Sequence, residues 1–472
     1  MDPTELTPEQ HRARLHSLHW AHQAVADCRR HLVVEDYMPG QVVYNLSEYP
    51  APDSSIRPTE YDAELLRRFA DAGVELIQVH EDWNDSQRLL GGDKFSSYDA
   101  EGMRQFVDLV HSLGMQIIAY ISSGYFEDSD PDFRQDWAGD YRLRELYFSY
   151  ARCKPWHPGW RAYLLPRAER MLDEYGFDGL YNDTGYPPVD DGEPVCDAGE
   201  LSPGPGKHAA FEDLSGMLRE LCHQRGGVYK VHMRTGDIEP GKRYWDYLWV
   251  GESVRDLDGL RETARDLQPW VVPCPDLSRA QVESEDELYL HFLPYAQFPL
   301  RIDGRPMTGE RALVEGIEYH DDFWTHHARA MWQHLQSNPH GPYSYGWWDS
   351  VPGRPEGREV WLDHLALYRP MVSAGSQAWL EVREGALLGE PLPDDVIASL
   401  FVNEQAYLVL ANVGDAPARA SLADQWADRR TGERGRQPIV PPRTLRFLTR
   451  VQTRTVGQSY ISGDNTGTSE VP

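Results

Sequence analysis

The chain has 472 residues, enough for one large domain of about 250 residues or more with a smaller companion. Acidic residues outnumber basic ones 75 to 46 for a net charge of −29, which argues against nucleic acid, whose phosphates need a basic footprint, and disfavours anionic membranes and polyanionic substrates. Hydrophobic residues make up 40% and aromatics 11%, the balance of a globular chain whose many flat side chains serve mostly as core and in part as stacking surfaces.

Residues 1–40 read as an N-terminal helical segment. From residue 41 short apolar runs alternate with amphipathic ones, the rhythm of parallel strands joined by crossover helices. The strand-like runs are 41–45 (QVVYN), 76–80 (LIQVH), 116–121 (QIIAYI), a short one around Leu180 and Tyr181, 228–233 (VYKVHM) and 247–250 (YLWV), with 288–293 and 343–347 as the last two. Helices are predicted over 61–72, 100–113, 161–175, 208–224, 324–335 and 360–371. One connection, 122–160, far exceeds the usual few residues and predicts a functional loop or subdomain over one end of the sheet. After residue 374 the runs 378–382, 396–402, 406–412 and 444–448 alternate with Gly, Pro and Asp, which predicts an antiparallel β-sandwich. The polar stretch 452–472 reads as a disordered tail.

The most informative segment is Gly176-Phe-Asp-Gly-Leu-Tyr-Asn-Asp183-Thr-Gly-Tyr186. Leu180 and Tyr181 supply the β-favouring body, and Asp183 falls just past its C-terminal end, where barrel enzymes gather their reacting groups. The segment resembles the nucleophile strand of TIM-barrel retaining α-glycoside hydrolases, nearest to the dextranase and cycloisomaltooligosaccharide glucanotransferase family and more distantly to α-galactosidases. In the α-galactosidase pattern a lysine stands where this chain has Tyr181. The resemblance implies a (β/α)8 TIM barrel over 41–373 with a C-terminal antiparallel β-sandwich over 374–451, hydrolysing α-linked neutral glycosides or oligosaccharides by a retaining double displacement.

Such chemistry needs two carboxyl groups about 5–5.5 Å apart, one attacking the anomeric carbon and one protonating the leaving oxygen. Asp183 is the expected nucleophile. Glu252, 252 − 183 = 69 residues downstream in Trp249-Val-Gly-Glu-Ser253, is the expected acid/base, with Asp256 and Asp237 as substitutes. Residues expected to bind sugar hydroxyls or rings are Asp82, Trp83, Asn182, Tyr186, His232, Arg234, Trp347, Trp348 and Asp349. A transglycosylase with the same covalent intermediate and a catalytically silent carbohydrate-binding barrel are the rival readings.

No cofactor and no metal is expected. The cysteines Cys28, Cys153, Cys196, Cys222 and Cys274 are odd in number, dispersed and without a CxxC pair. The acidic run Asp128-x-Asp130-x-Asp132 has Phe133 where a Ca²⁺ loop needs glycine, and reads as a solvated loop. With neither an apolar signal segment nor a membrane-length apolar run, a cytoplasmic protein is expected, or a secreted one if a leader precedes Met1.

Overall fold

The computed structural model describes residues 6–46, 55–85, 88, 92–145, 148–184, 209–233, 244–251, 254, 256–267, 270–275, 286–305 and 355–451. Helix α1 (Pro8–Ala24) begins in a reciprocal capping box, in which Thr7 accepts from the Gln10 amide and Gln10 from that of Thr7. The segment expected to be helical throughout then turns into a strand, β1 (Asp27–Val33), which pairs antiparallel with a strand some 350 residues away in sequence.

Strands β2 (Gln41–Asn45), β3 (Leu76–Val79) and β4 (Gln116–Ser122) alternate with helices α2 (Glu60–Asp71) and α3 (Ala100–Ser112). The long connection that follows is a three-stranded antiparallel sheet of β5 (Tyr125–Glu127), β6 (Ala138–Glu145) and β7 (Phe148–Cys153). Its acidic run is ion-paired, Asp130 and Asp132 with Arg88 and Asp128 with Arg142. Helix α4 (Pro158–Tyr175), β8 (Gly179–Asp183), α5 (Ala209–His223), β9 (Val228–His232), β10 (Tyr247–Val250), α6 (Leu257–Ala264) and β11 (Val271–Pro273) continue the alternation. Then come α7 (Asp286–Leu290), β12 (Arg301–Gly304) and α8 (Pro355–Tyr368).

Eight of these strands form one parallel sheet in the order β11-β10-β9-β8-β4-β3-β2-β12. The last strand returns to pair with the first, Ile302 opposite Val43, as a rolled-up sheet requires. The ladder does not close: β11 and β12 do not pair as strands, although a hydrogen bond from the Leu300 amide to the Pro273 carbonyl, 2.9 Å, bridges their ends. Nearly continuous apolar burial of these strands, with helices outside, builds a single large core.

One strand expectation is corrected. The apolar run 288–293 is helical (α7 and the 3-10 turn Leu293–Tyr295), because a short unbroken apolar run fits a buried helix as well as a strand. Among the described residues the seventh and eighth strands of the parallel sheet are β11 and β12. β11 has only three residues, and β12 hides behind two charges, Arg301 and Asp303, whose side chains pair at 3.0 Å while Arg358 of α8 also holds Asp303. The expected strand at 343–347, the helix at 324–335 and the tail lie outside the described residues.

The C-terminal part contributes β13 (Gln377–Glu384), β14 (Val396–Val402), β15 (Ala406–Asn412), β16 (Ala418–Arg419), β17 (Trp426–Asp428), β18 (Arg434–Gly435), β19 (Ile439–Val440) and β20 (Thr444–Arg450). They form a seven-stranded antiparallel sheet, β1-β13-β14-β15-β20-β17-β18, and a two-stranded ribbon, β16-β19. One face of the large sheet, through Ala378, Leu380, Phe401, Val409 and Phe447, joins the core of the parallel sheet. The alternate residues Trp379, Val382, Leu400, Leu408 and Leu410 pack with Ala21 and Ala24 of α1 in a second core. Among the described residues no helix is long and apolar enough to cross a membrane.

Candidate active site

The Gly-Phe-Asp-Gly segment is built to place Asp183. Gly176 caps α4 in the left-handed region, φ 78°, which a side chain rarely adopts. Phe177 packs edge-on to Trp83 with ring centroids 5.2 Å apart. The Asp178 carboxylate accepts from the Ile117 amide at 2.7 Å and lies 2.8 Å from His111 Nε2, tying the strand entry to β4 and α3. At Gly179 a Cβ would come within 1.9 Å of the Val228 carbonyl, so only glycine lets β9 approach. The strand that follows is held by β4 and β9 on its two edges, and Asp183 ends it opposite Ser122 and His232.

Asp183 is 30% exposed at the C-terminal end of the fourth parallel strand. The Tyr120 hydroxyl donates to its Oδ2 at 3.2 Å, and His232 Nδ1 stands 3.5 Å from its Oδ1. Thr184 donates its hydroxyl to the His232 carbonyl at 2.7 Å, clamping the two strand ends together. One layer further in, Tyr181, Trp249 and His80 form an aromatic wall: His80 lies 4.9 Å from the Tyr120 ring, 5.8 Å from Tyr181 and 6.1 Å from Trp249. Burial holds His80 neutral, lowering its pKa to about 3, and the charges of His232 and Lys230 act in the same direction while Asp183 opposes them. Burial likewise pushes the Tyr120 hydroxyl well above the usual phenol range, with the Glu81 and Asp183 charges adding to it, so it remains a donor.

Of the residues expected at the site, Asp183 and His232 come together. Three others have structural partners. Asn182 is fully buried and faces away from Asp183, as strand alternation requires; its amide oxygen accepts from the Ser123 amide at 2.9 Å and its nitrogen donates to Ser123 Oγ and Tyr229 Oη at 2.9 and 2.8 Å. Trp83 is fully buried against Tyr175 and Phe177, with its indole N–H donating to the Tyr120 carbonyl at 3.0 Å. Asp82 is buried and accepts from the Leu46 amide at 2.6 Å.

Glu252, Tyr186, Arg234, Asp237, Trp347, Trp348 and Asp349 lie outside the described residues. The residue before Glu252 is described: Gly251 has φ 95°, and a Cβ there would meet the Leu260 side chain at 2.7 Å. Asp256 is the N-cap of α6, accepting from the Gly259 amide at 3.0 Å, which gives it a structural function. Sequence reasoning missed Tyr120, His80 and Lys230. The available signal was a Tyr, a His and a Lys set into otherwise apolar strands at positions sharing one face with a strand-end polar group.

No family model matches this chain, and no curated protein matches it. Solved structures do. The GH36 alpha-galactosidase AgaA from Geobacillus stearothermophilus matches with a TM-score of 0.53 at 12% identity, covering 88% of this chain and 56% of that one. A noncanonic maltogenic alpha-amylase, AmyB from Thermotoga neapolitana, matches with a TM-score of 0.52 at 12% identity, covering 88% of this chain and 99% of that one. The chain therefore spans a little over half the length of the alpha-galactosidase. At such identities the likeness is one of fold: this chain has a fold like that of TIM-barrel alpha-glycoside hydrolases.

Proposed function

We propose that the protein is a retaining glycoside hydrolase for α-linked neutral glycosides or oligosaccharides, with Asp183 as nucleophile and Glu252 as acid/base. The observation that carries the reading is the position of Asp183: a partly exposed carboxylate at the C-terminal end of the fourth parallel strand, oriented by Tyr120 and faced by His232. The likeness of fold to enzymes acting on α-glycosides, one of them also seen with stachyose, agrees with it. On the same reading the parallel sheet is a (β/α)8 barrel spanning 41–373, and the C-terminal sheet with its ribbon is a sandwich spanning 374–451.

In the first step an Asp183 oxygen forms an ester bond to the anomeric carbon as the glycosidic C–O bond breaks, and Glu252 gives its proton to the departing oxygen. In the second, Glu252 takes a proton from water, whose oxygen attacks the same carbon and releases the Asp183 carboxylate. The Tyr120 hydroxyl stabilises the anionic form of the nucleophile through a charge-assisted hydrogen bond and fixes which oxygen is presented. A negative surface imposes no electrostatic penalty on an uncharged sugar.

A panel of aryl α- and β-glycosides of the common hexoses tests the reading. Turnover of an α-glycoside, lost in Asp183→Ala, is expected; turnover of β-glycosides alone, or activity indifferent to that substitution, contradicts it. Transfer to added sugar acceptors in the same assay identifies a transglycosylase, and binding without turnover identifies a silent barrel.

A further inference from the structure

The connection between β4 and α4 folds as the sheet β5-β7-β6, and its two faces differ. On one face Phe126 is buried, with its ring centroid 6.1 Å from that of Trp137, 5.6 Å from Trp160 and 5.4 Å from Tyr163, so this side is part of the large core. Tyr125 precedes Phe126 on β5 and points the other way. The pairing of Tyr125 with Arg152 and of Glu127 with Tyr150 puts both tyrosines on that opposite face. Their ring centroids are 6.2 Å apart, and the Arg152 guanidinium stands over the Tyr125 ring at 5.7 Å. Both tyrosines are partly exposed, and neither belongs to the apolar core.

This face begins beside Asp183. Ser122, the last residue of β4, is in register with Asp183, and its Oγ accepts from the Tyr125 amide at 3.0 Å. Adjacent strands lie about 4.7–4.9 Å apart, so the Tyr125 backbone is within about 10 Å of that of Asp183, a span that two linked pyranose rings cover. β5 is pinned in this place by Lys94, which donates to the Tyr125 carbonyl at 2.6 Å while its Nζ stands 4.9 Å from the Phe126 ring centroid. Tyr150 reaches the same neighbourhood: with Glu81, Asp183 and Tyr181, it acts electrostatically on the Tyr120 hydroxyl that donates to Asp183. A cross-strand tyrosine pair stabilises a ribbon anywhere on a surface. Beside a partly exposed carboxylate, flat apolar rings with polar rims also match the faces and hydroxyls of a sugar.

We propose that Tyr125 and Tyr150 are specificity-determining residues of the site: their rings form a stacking wall for a second sugar, linked to the one that Asp183 attacks, so that the substrates are α-linked oligosaccharides rather than glycosides with a small leaving group. This rests on the reading of Asp183 as a glycosidase nucleophile. Stacking uses the ring faces and not the hydroxyls, so phenylalanine is expected to serve at either position and leucine is not.

The test compares maltotriose, isomaltotriose and raffinose with α-glucosyl and α-galactosyl fluoride, whose leaving group carries no second ring. It uses the full chain and its Tyr125→Leu, Tyr150→Leu, Tyr125→Phe and Tyr150→Phe variants. For the sugar series that the parent cleaves, the ratio of kcat/KM on the oligosaccharide to kcat/KM on the fluoride is expected to fall about 3- to 10-fold in each leucine variant and to stay near the parent's in the phenylalanine variants. Should Tyr125→Leu fail to fold, Tyr150→Leu decides alone. An unchanged ratio in a folded leucine variant, or a loss shared equally by both substrates, overturns the inference and leaves the tyrosines as a structural pair. A parent that cleaves the fluorides but none of the oligosaccharides also overturns it, with the proposed function intact. A parent that cleaves neither class removes the proposed function, and this inference with it.

Discussion

Asp183 and His232 end neighbouring parallel strands in direct register, and their side chains meet with Nδ1 3.5 Å from Oδ1. A pair formed by two strand termini has its separation set by the sheet ladder. This is why a loop-borne carboxylate would be less well placed than one set on the strand itself.

Asp183→Ala is expected to reduce turnover by several orders of magnitude while leaving the circular dichroism spectrum and thermal transition close to those of the parent. A small anion such as azide should partly replace the missing carboxylate and give a β-glycosyl azide from an α-substrate. Near-normal activity in this variant would remove Asp183 from the mechanism.

Tyr120→Phe keeps the ring packed and deletes the donor to Oδ2. A hydrogen bond to a charged group contributes about 1.5–3 kcal/mol, so kcat/KM is expected to drop about 10- to 100-fold. With less stabilisation of the carboxylate, the acid limb of the pH profile should also move upward. An identical profile would mean that the hydroxyl does not act on Asp183.

Asn182→Ala separates structure from binding. Its amide makes three buried hydrogen bonds, and leaving the Ser123 amide and the Tyr229 hydroxyl without them is expected to lower unfolding stability by about 2–4 kcal/mol in urea titrations. A raised KM with unchanged stability would instead support the sugar-binding function expected from sequence.

Lys230→Met has a pH-dependent signature in stability. The folded pKa of about 7 is below the ordinary lysine value, so the unfolded chain binds more protons between about pH 7 and 10 and the parent gains stability as pH rises through that window. Below it the penalty of a buried ammonium is fully present. The Met variant should therefore exceed the parent most at pH 6, by up to a few kcal/mol, with the difference shrinking toward pH 10. A difference independent of pH would show that Lys230 is not titrating in the fold.

Much of the architecture was legible because the parallel strands are continuous apolar runs bounded by helices with strong caps. Strands β2, β10, β14 and β15 fall at the residues their composition predicts. What sequence did not reveal were elements whose signal depends on distant partners. β12 carries Arg301 and Asp303, which look solvent-facing until Arg358 of α8 is brought against them. β1 reads as a polar stretch, Asp-Cys-Arg-Arg-His-Leu-Val, and is a strand because β13 offers an edge. At the site, Asp183 was visible through the glycines that position it. The burial of Trp83 and Asp82 was not legible, because a short 3-10 turn after β3 folds them inward and periodicity does not report such a turn. His80 and Lys230 went unnoticed because a lone polar residue in an apolar strand is ambiguous until its neighbours across three strands are known.

The most direct test of the central claim is covalent trapping. The protein would be incubated with 5-fluoro-α-glycosyl fluorides of the gluco and galacto series, digested, and examined by peptide mass spectrometry. Such reagents slow hydrolysis of a glycosyl ester and let it accumulate if a carboxylate attacks the anomeric carbon. The account predicts one fluoroglycosyl adduct on the peptide containing Asp183, absent from the Asp183→Ala variant. An adduct on another carboxylate, or turnover of these fluorides that persists in Asp183→Ala, would contradict it.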